Sequence, residues 1–418
     1  MKSLIRKLEV SEIPAFVEIA VNAYPGVMQN TPDFKERFST MITILQEKEK
    51  TIEFFGLFRD GKLVGGMRIH YFQMNLFSKI IDVGGVGLVA VDLLHKKEKI
   101  AKELISYFIQ HFVNREVSFL ALYPFRPDFY KKMGFGYGTK MNQYLIEPSS
   151  FPARGTKEGL TFLNKTHKEH IKDCYNLYAK ETHGMMLKTD YDVEVLFKNP
   201  DHKIVGCFNG EKLEGYIVFT FKKMSETNFI HNNIVIKEMI YRNPQALSKI
   251  AAFLNSQNDQ IHRIELTTQD DAIEYLIADP RNGSNRLMPS VYHETNSAGI
   301  GLMYRIINMD AFIEKLSEYN FNNVTIKLGI NIMDSFIEGN SRRIVIDFRE
   351  GKAAISQAEN ADVEIKMEIS DLSSLFMGVI NFKKLYDFGR AEINIAEIVN
   401  EVNTLFSTMQ KPLCITAF

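Results

Sequence analysis

The sequence is poor in cysteine and has no excess of charge of either sign. Its 418 residues include three cysteines (Cys174, Cys207 and Cys414), and their wide separation fits no metal-binding or redox motif. Lysine and arginine total 50 and aspartate and glutamate total 51, which gives a net charge of −1. A balanced charge gives no electrostatic reason to expect nucleic acid as a partner. We therefore expect no metal, and a reducing compartment such as the cytoplasm.

Long hydrophobic runs are also absent. The longest, residues 83–91, is too short to span a bilayer. Residues 1–16 contain acidic side chains where a signal peptide needs an apolar core. We expect a soluble cytoplasmic protein without membrane contact. The chain is longer than one ordinary domain, and its hydrophobic content of 45% can supply cores for two or three.

The most informative segment, residues 84–105, has an apolar strand at 87–91, a basic turn at 95–99 and then a helix. The helix repeats apolar residues at the spacing of one buried face. A helix start with free N–H groups and positive side chains is a favourable place for a pyrophosphate. The segment therefore predicts a phosphate-bearing ligand. An ordinary strand–turn–helix unit with a solvated lysine run is the alternative.

A second segment supports the ligand interpretation. Residues 116–122 are predicted to form a buried strand, followed by a turn-rich loop at 123–127. Asp128 is expected to cap a short helix that carries Tyr130, and Gly134 is expected to end it. The order is then strand, basic turn, helix, strand, loop and short aromatic helix.

Together these segments resemble the GNAT superfamily of N-acetyltransferases. In that family a strand lines the pantetheine arm of acetyl-CoA, and the turn R/Q-x-x-G-x-G/A surrounds its pyrophosphate. Here the turn reads Lys96-Lys97-Glu98-Lys99-Ile100-Ala101, so Lys99 replaces the first glycine and only Ala101 keeps the small final position. The resemblance implies acetyl-CoA as co-substrate, with extended backbone at 88–91 pairing with pantetheine. The predicted contacts are Leu88, Val89, Ala90, Val91, Lys96, Lys97, Glu98, Lys99, Ile100, Ala101, Phe125 and Arg126.

The chain then repeats. Residues 56–65 and 206–215 are identical at five of ten positions, at a constant offset of 150 residues. The match predicts a second copy of the fold. In that copy residues 237–246 replace the basic turn; they contain no glycine, and Pro244 removes one N–H donor. We predict that the second copy does not bind the cofactor.

The last part of the chain has a different pattern, after a Gly/Asn/Ser-rich stretch at 281–301. It resembles a sterol-carrier-protein fold, an α+β sheet covered by helices. Lipid binding there would require an open apolar tunnel. The predicted strands are 324–328, 343–348 and 360–368, and the predicted helices are 371–377 and 393–408.

The combination resembles the Eis (enhanced intracellular survival) family over the whole chain. It predicts tandem α/β GNAT-type domains at 1–148 and 149–295, the second degenerate, and a sterol-carrier-like α+β domain at 296–418. The resemblance implies acetylation of a primary amine on an aminoglycoside, a polyamine or a lysine side chain, by a hexamer. An acyl-CoA sensor without turnover and a lipid-carrying or scaffolding protein are the alternatives.

Two residues are predicted to carry the chemistry. Tyr130, in the family pattern Phe129-Tyr130-x-x-x-Gly134-Phe135, would protonate the leaving thiolate as a general acid; a core aromatic is the alternative. The resemblance implies that the α-carboxylate of Phe418 is the general base, and the apolar run at 413–418 favours a docked terminus. A carboxylate of pKa about 3.3–3.7 is a weak base, so it could instead orient a water. Ala417 stands where the family often has an acidic residue, which removes a charge that would attract polycationic antibiotics.

Overall fold

The computed structural model describes residues 3–288 and 291–418. Its helices are α1 (Ile13–Ala23), α2 (Pro32–Lys48), α3 (Ile100–Val113), α4 (Pro127–Lys131), α5 (Lys168–Glu181), α6 (Asp190–Leu196), α7 (Pro244–Asn255), α8 (Met309–Lys315), α9 (Ile369–Phe376), α10 (Phe382–Asp387) and α11 (Val399–Leu405). Its strands are β1 (Ser3–Lys7), β2 (Ile52–Arg59), β3 (Lys62–Leu76), β4 (Lys79–Val91), β5 (Phe119–Leu122), β6 (Gly136–Tyr137), β7 (Met141–Ile146), β8 (Leu160–Phe162), β9 (Lys203–Asn209), β10 (Lys212–Lys223), β11 (Asn232–Tyr241), β12 (Ile261–Thr268), β13 (Leu287–Met288), β14 (Tyr292–His293), β15 (Asn296–Gly299), β16 (Met303–Ile306), β17 (Ile326–Met333), β18 (Arg342–Arg349), β19 (Lys352–Ile355), β20 (Val363–Glu368) and β21 (Ala391–Ile393). None of the helices in these residues has the length and apolar character that a bilayer crossing needs.

The chain divides into two compact units. The first contains the described residues up to Gly138, together with Leu302–Lys411 and Ala417–Phe418. The second contains the described residues of Thr139–Gly301, together with Pro412–Thr416. The last seven residues are therefore shared between the two units, and Phe418 belongs to the first.

The main sheet of the first unit has the order β1-β2-β3-β4-β5-β16-β6. Strands β1 to β4 are antiparallel neighbours, and the hairpin between β2 and β3 turns at Asp60 and Gly61, both with positive φ. Strand β5 is parallel to β4, and α3 makes the crossover that such a pair requires. One apolar face of α3, which includes Leu104 and Phe108, packs in the core against the sheet.

The sheet opens between β4 and β5. Residues 84–86 pair with residues 120–122, and no further pairs between these strands occur toward the end of β4. On its other side β4 contains a bulge, because Gly66 pairs with Ala90 while Arg68 pairs with Gly87. The bulge places Leu88 at a φ of 50°. Residues 88–91 therefore have one edge that does not pair with β5.

The sheet of the second unit has the equivalent order β8-β9-β10-β11-β12-β7-β15. The predicted repeat is confirmed in detail, because both hairpins contain a bulge at the same relative position. The bulged residues are Val64 in the first unit and Glu214 in the second, again 150 positions apart. This agreement in backbone irregularity indicates duplication of one fold.

Each sheet takes its sixth strand from the opposite half of the chain. Strand β16 lies between β5 and β6 in the first unit, and β7 lies between β12 and β15 in the second. The segment 141–148, grouped with the first domain in the sequence analysis, thus supplies a strand to the second unit's sheet. Pairings among β5, β6 and β16 then join the early and late parts of the chain within one unit.

A five-stranded sheet has the order β19-β18-β17-β20-β21 and confirms the predicted α+β arrangement of the C-terminal region, while β13 and β14 form a separate two-stranded sheet. The helix predicted at 393–408 is wrong in its first turns. The N–H of Asn394 donates to the carbonyl of Glu364 at 3.0 Å, and Asn394 Oδ1 accepts from the N–H of Glu364 at 2.8 Å. These two hydrogen bonds hold residue 394 beside β20. A short 3-10 helix, Ala396–Ile398, then precedes α11.

Within the Gly/Asn/Ser-rich stretch at 281–301, residues 289 and 290 lie outside the described residues.

Candidate active site

The short helix α4 positions Tyr130. It begins after Arg126, with Pro127 at its first position, so the expected cap at Asp128 is wrong. The carboxylate of Asp128 instead binds Arg126, with Arg126 Nη2 2.6 Å from Asp128 Oδ2. The helix itself ends at Lys131, three residues before the expected Gly134, and Gly134 closes the following turn with a φ of 80°. The carbonyl of Tyr130 accepts hydrogen bonds from the N–H groups of two later residues, Met133 at 2.9 Å and Phe135 at 3.1 Å.

The side chain of Tyr130 is 2% exposed and is surrounded by aromatic rings. Its ring lies 5.3–6.1 Å, centroid to centroid, from Phe125, Phe129 and Phe135. Burial raises the pKa of Tyr130, and the nearby Tyr24 adds to the shift. Its hydroxyl makes no hydrogen bond to any described residue. Tyr130 is therefore protonated at neutral pH and can donate its proton to a ligand.

The chain terminus lies against strands β3 and β4. The ring of Phe418 contacts His70, Phe72 and Tyr123 at centroid distances of 5.4, 4.8 and 5.3 Å. A Cβ atom on Gly87 would lie 3.0 Å from the carboxyl carbon of Phe418. The terminal carboxylate thus sits on the backbone of β4, in contact distance of the bulge, and the terminus is packed rather than free in solvent.

Three further residues join this group without having been identified from the sequence. The Nη2 atom of Arg68 would lie 3.3 Å from the same Cβ position on Gly87. Burial, followed by the positive charge of Arg68, lowers the pKa of His70 well below its ordinary value, so this imidazole is neutral. Tyr24 donates its hydroxyl to the carbonyl of Val89 at 2.8 Å. Alternation along β3 places residues 68, 70 and 72 on one face, with two glycines of β4 opposite residues 68 and 70. This alternation is the signal from which Arg68 and His70 could have been found.

The predicted pantetheine strand is only partly extended. Leu88 is left-handed, so the expectation of extended backbone is wrong there. The carbonyl of Val89 is engaged by Tyr24. Ala90 is fully buried and pairs with β3, whereas alternation directs the N–H and C=O of Val91 to the opposite, open edge. The structure thus leaves Val91 the clearest backbone partner for an amide of the substrate.

The basic turn has a geometry that glycine usually provides. Lys97 and Lys99 have φ values of 66° and 65°, and Lys99 precedes the first residue of α3. The N–H groups of residues 96–99 have no hydrogen-bond partner among the described residues. The side chains of Lys96, Lys97 and Lys99 are exposed. Positive charge and free N–H groups therefore meet at one helix start, which fits a pyrophosphate.

Arg59 holds this turn in place. Its guanidinium donates to the carboxylate of Glu98 at 2.7 Å and to the carbonyl of Glu98 at 2.9 Å. It also binds Glu103 in α3 at 2.7 Å. Glu98 is therefore occupied by the protein, while Ile100 is buried in the core and Ala101 is half-buried. Arg59 lies at the end of β2, 39 positions before Glu98 in the sequence. The linear motif therefore gave no sign of this contact.

The two remaining predicted contacts are at the surface. Phe125 is 58% exposed, and its ring lies near that of Tyr130. The side chain of Arg126 is exposed and already paired with Asp128. A phosphate would have to compete with that carboxylate for Arg126. The open edge of β4 and the N–H-bearing turn nevertheless fit the pantetheine and pyrophosphate of an acyl-CoA.

Comparison with known proteins agrees with this geometry. Two models of GNAT acetyltransferase domains match residues 4–138 and 185–306, and a sterol carrier protein domain matches residues 310–415. The whole chain superimposes on the whole of Eis1 from Mycobacterium abscessus, with a TM-score of 0.75 and 18% identity. The chain therefore contains two GNAT-type acetyltransferase domains followed by a sterol-carrier-protein domain, and it shares its overall fold with Eis1.

Other solved structures share the same three-part fold over their full length. A GCN5-related N-acetyltransferase from Anabaena variabilis gives a TM-score of 0.82 at 16% identity, with both chains fully covered. A probable N-acyltransferase from Enterococcus faecalis gives 0.78 at 20% identity, also over both full lengths. No curated protein matches the chain by sequence. At these identities the structures establish a common fold.

The second unit of this protein lacks the equivalent turn. Only residues 242 and 243 separate β11 from α7, and Pro244 is the first residue of the helix. The N–H of Ala246 is taken by the side chain of Asn243 at 2.8 Å, and the N–H of Arg242 by the carbonyl of Glu214 at 2.9 Å. These contacts leave few donors for a pyrophosphate, which supports the prediction that this copy does not bind the cofactor.

The sterol-carrier-like region contains an open groove of about 900 Å³ between α8 and strands β18 and β19. Its lining includes charged side chains as well as apolar ones. Arg342 at its edge is ion-paired with Asp310, and Arg343 with Glu364. This lining differs from the apolar tunnel that lipid binding would require.

Proposed function

We propose that this protein is an acetyl-CoA-dependent N-acetyltransferase that transfers an acetyl group to a primary amine. The observation that carries the proposal is that three groups lie around strand β4, with Tyr130 in the same buried core as Val89 of that strand. Tyr24, whose hydroxyl binds Val89, lies close enough to Tyr130 to affect its pKa. The carboxylate of Phe418 lies at Gly87 of the same strand.

The proposed reaction has two proton transfers, one at the Phe418 carboxylate and one at Tyr130. The turn at 96–101 binds the pyrophosphate, and Val91 pairs with the pantetheine arm. The amine attacks the thioester carbonyl, forming the C–N bond, and loses its proton to the carboxylate of Phe418 or to a water that this carboxylate orients. The C–S bond breaks, and Tyr130 gives its proton to the departing thiolate. Arg68, whose Nη2 lies near the same Gly87, adds positive charge beside the terminal carboxylate.

Two variants test the proposal by the release of free CoA thiol. Tyr130→Phe keeps the ring and removes the proton donor, so turnover should fall by about 10²–10⁴-fold while acetyl-CoA affinity is unchanged. A short C-terminal tag converts the Phe418 carboxylate into an amide and should reduce turnover as strongly. An N-terminally tagged protein is the matched control. Unchanged turnover in either variant would remove the corresponding residue from the mechanism.

The acceptor is proposed by class only. An aminoglycoside such as kanamycin, a polyamine such as spermidine and a lysine-containing peptide represent the three classes that we expect. Ala417 carries no charge, and Arg68 adds a positive one near the terminus. We therefore expect the polycationic acceptors to be slower than a lysine peptide of low net charge. Comparing kcat/KM for the three acceptors at fixed acetyl-CoA tests this order.

We also propose that the protein assembles as a homo-hexamer, as the Eis resemblance implies. Light scattering of the purified protein at several concentrations would then give about six times the chain mass of 48.0 kDa. A mass equal to that of one chain at all concentrations would exclude this assembly, without affecting the proposed chemistry.

A further inference from the structure

The helix α9 of the sterol-carrier-like region packs directly on the segment that follows Tyr130. Every residue of α9 is buried, including three serines and an aspartate. The hydroxyl of Ser374 donates to the carbonyl of Tyr137 at 2.8 Å. A Cβ on Gly136 would lie 1.9 Å from the carbonyl oxygen of Ser370, so only glycine fits there. The backbone after α4 is therefore fixed against α9.

An ion network connects the same helix to the residue next to Tyr130. Lys131 Nζ lies 2.5 Å from Asp371 Oδ1, and the side chain of Asp371 is 8% exposed. The other carboxylate oxygen of Asp371 binds Arg390 at 2.6 Å from Nη2. Lys131 Nζ also lies 3.3 Å from Ser370 Oγ. A nearly buried carboxylate held between two cations has little freedom to move, and Lys131 is held with it.

A buried arginine binds the backbone of the turn that follows Tyr130. Arg305 donates to the carbonyl of Met133, and its Nη2 lies 2.5 Å from Asp334 Oδ2. Both side chains are 0% exposed. A Cβ on Gly134 would overlap the Arg305 guanidinium, and the φ of Gly134 is positive. This position therefore requires both the small size and the backbone freedom of glycine. Asp334 also accepts the N–H groups of residues 336 and 337, which fixes the carboxylate in turn.

These contacts act on Lys131 and Met133, which follow Tyr130 in the chain by one and three positions. The helix that carries Tyr130 has five residues and cannot maintain its own geometry in isolation. The Tyr130 hydroxyl also has no partner among the described residues that would orient it. The position of the hydroxyl oxygen consequently depends on the backbone that carries Tyr130 and on the aromatic rings that surround its ring.

We infer that the sterol-carrier-like region positions the general acid. Asp371 acts through Lys131, and Asp334 acts through Arg305 of strand β16 and Met133. Both pairs are positioning residues that touch neither substrate nor reacting atoms. The inference rests on the proposed role of Tyr130, and it gives the C-terminal region a function that requires no lipid.

A double-mutant cycle separates positioning from general stability. Lys131→Met removes the charge and keeps a long side chain, so it should lower kcat about tenfold or more through misalignment of the acid. The same change in a Tyr130→Phe background should lower kcat less than about twofold, because no acid remains to be positioned. The KM for acetyl-CoA should be unchanged throughout. Lys131→Arg should restore most of the loss, and Lys132→Met, at an exposed neighbouring lysine, should have no effect.

The outcomes distinguish the inference from the proposed function. An equal loss from Lys131→Met in both backgrounds, or no loss in either, would overturn the positioning role while leaving Tyr130 as the acid. Wild-type turnover in Tyr130→Phe alone would overturn the acid and the inference together. A second readout requires no activity: 3-fluorotyrosine at position 130 should show a shifted or broadened ¹⁹F resonance in Lys131→Met and in Asp371→Asn, but not in Lys132→Met. Identical resonances in all four proteins would also overturn the positioning role.

Discussion

Gly87 is a point of close approach between the chain terminus and the backbone of β4. Alanine at this position would bring its Cβ within 3.0 Å of the Phe418 carboxyl carbon, closer than an ordinary van der Waals contact. We predict that Gly87→Ala displaces the terminus and lowers turnover about tenfold or more. Its effect should be non-additive with that of a C-terminal tag, because both act on one carboxylate. Steady-state kinetics of the two single variants and the double variant check this, and fully multiplicative losses would contradict it.

His111 provides a pH-dependent contribution to stability. Its Nε2 lies 2.7 Å from the hydroxyl of Tyr71, which in turn donates to Glu53, and its Nδ1 accepts from Arg115 at 3.3 Å. This pattern requires a neutral imidazole. Burial, followed by the charge of Arg115, lowers the pKa of His111 to about 4. In the unfolded chain the imidazole of His111 becomes protonated near pH 6.5, whereas in the folded chain it stays neutral until about pH 4.

The sign of the effect follows from that difference. Between pH 6.5 and pH 4 the unfolded state binds more protons, so acid lowers the free energy of unfolding. We predict that the loss of stability between pH 7.5 and pH 4.5 is smaller by about 1–2 kcal/mol in His111→Gln than in the wild type. Urea unfolding at the two pH values measures it. An equal loss in both proteins would show that His111 does not contribute.

At the residue scale, local motifs and strand pairing differ in how well they can be predicted. Tyr130 was identified because its motif is contiguous in sequence. Arg68 and Tyr24 lie 62 and 106 positions earlier in the numbering, and only sheet formation and helix packing bring them to β4. Their positions depend on the bulge opposite Met67, which shifts the register of β3 against β4. A single sequence does not specify that bulge, and the contacts could not be derived.

Among the elements, the turn between β4 and α3 is the one in which backbone conformation and function are most closely joined. Lys99 occupies the left-handed region that glycine normally takes, at a cost of about 1–2 kcal/mol. We predict that Lys99→Gly retains the turn and changes the Kd for acetyl-CoA less than about fivefold. Proline has a φ near −65° and cannot form this turn. Lys99→Pro should therefore abolish binding.

Isothermal calorimetry with acetyl-CoA compares the two variants directly. The side chain is lost in both, so the comparison isolates the backbone. Equal, weak binding by Lys99→Gly and Lys99→Pro would assign the contribution to the lysine charge instead. Circular dichroism of each variant confirms that α3 is retained.

Some elements have a local signal in the sequence that marks where they begin or turn. Asp60 and Gly61 are typical turn residues, and they form the turn of the hairpin. Thr31 is a typical cap residue, and it caps α2. The predicted helix at 393–408 was wrong because Asn394 pairs with Glu364, a residue 30 positions earlier. Apolar spacing at the end of the chain matched a helix, yet a tertiary hydrogen bond decided the backbone. The chain's own pattern contains no information on that partner.

At the scale of the whole molecule, the exchange of β7 and β16 was not predictable from the sequence. Each strand has the composition of a buried strand, and either sheet could accept it. The duplication explains why, since the two sheets have the same order and bulges at equivalent positions. Two copies of one fold offer the same neighbours at the sixth position, so the choice between them depends on the connections rather than on local pattern.

The two units should nevertheless differ in ligand binding, and the last prediction concerns their stoichiometry. The first unit has an eight-residue connection between β4 and α3 with free N–H groups, whereas two residues connect β11 to α7 and the nearby donors are used internally. We predict that calorimetry gives one acetyl-CoA per chain. Ala101→Glu, which adds bulk and negative charge at the pyrophosphate turn, should abolish that site, while Ala246→Glu at the start of α7 leaves the stoichiometry at one wherever the variant folds. Two sites of similar affinity in the wild type, or binding that survives Ala101→Glu, would place a cofactor site in the second unit and contradict the division of roles between the copies.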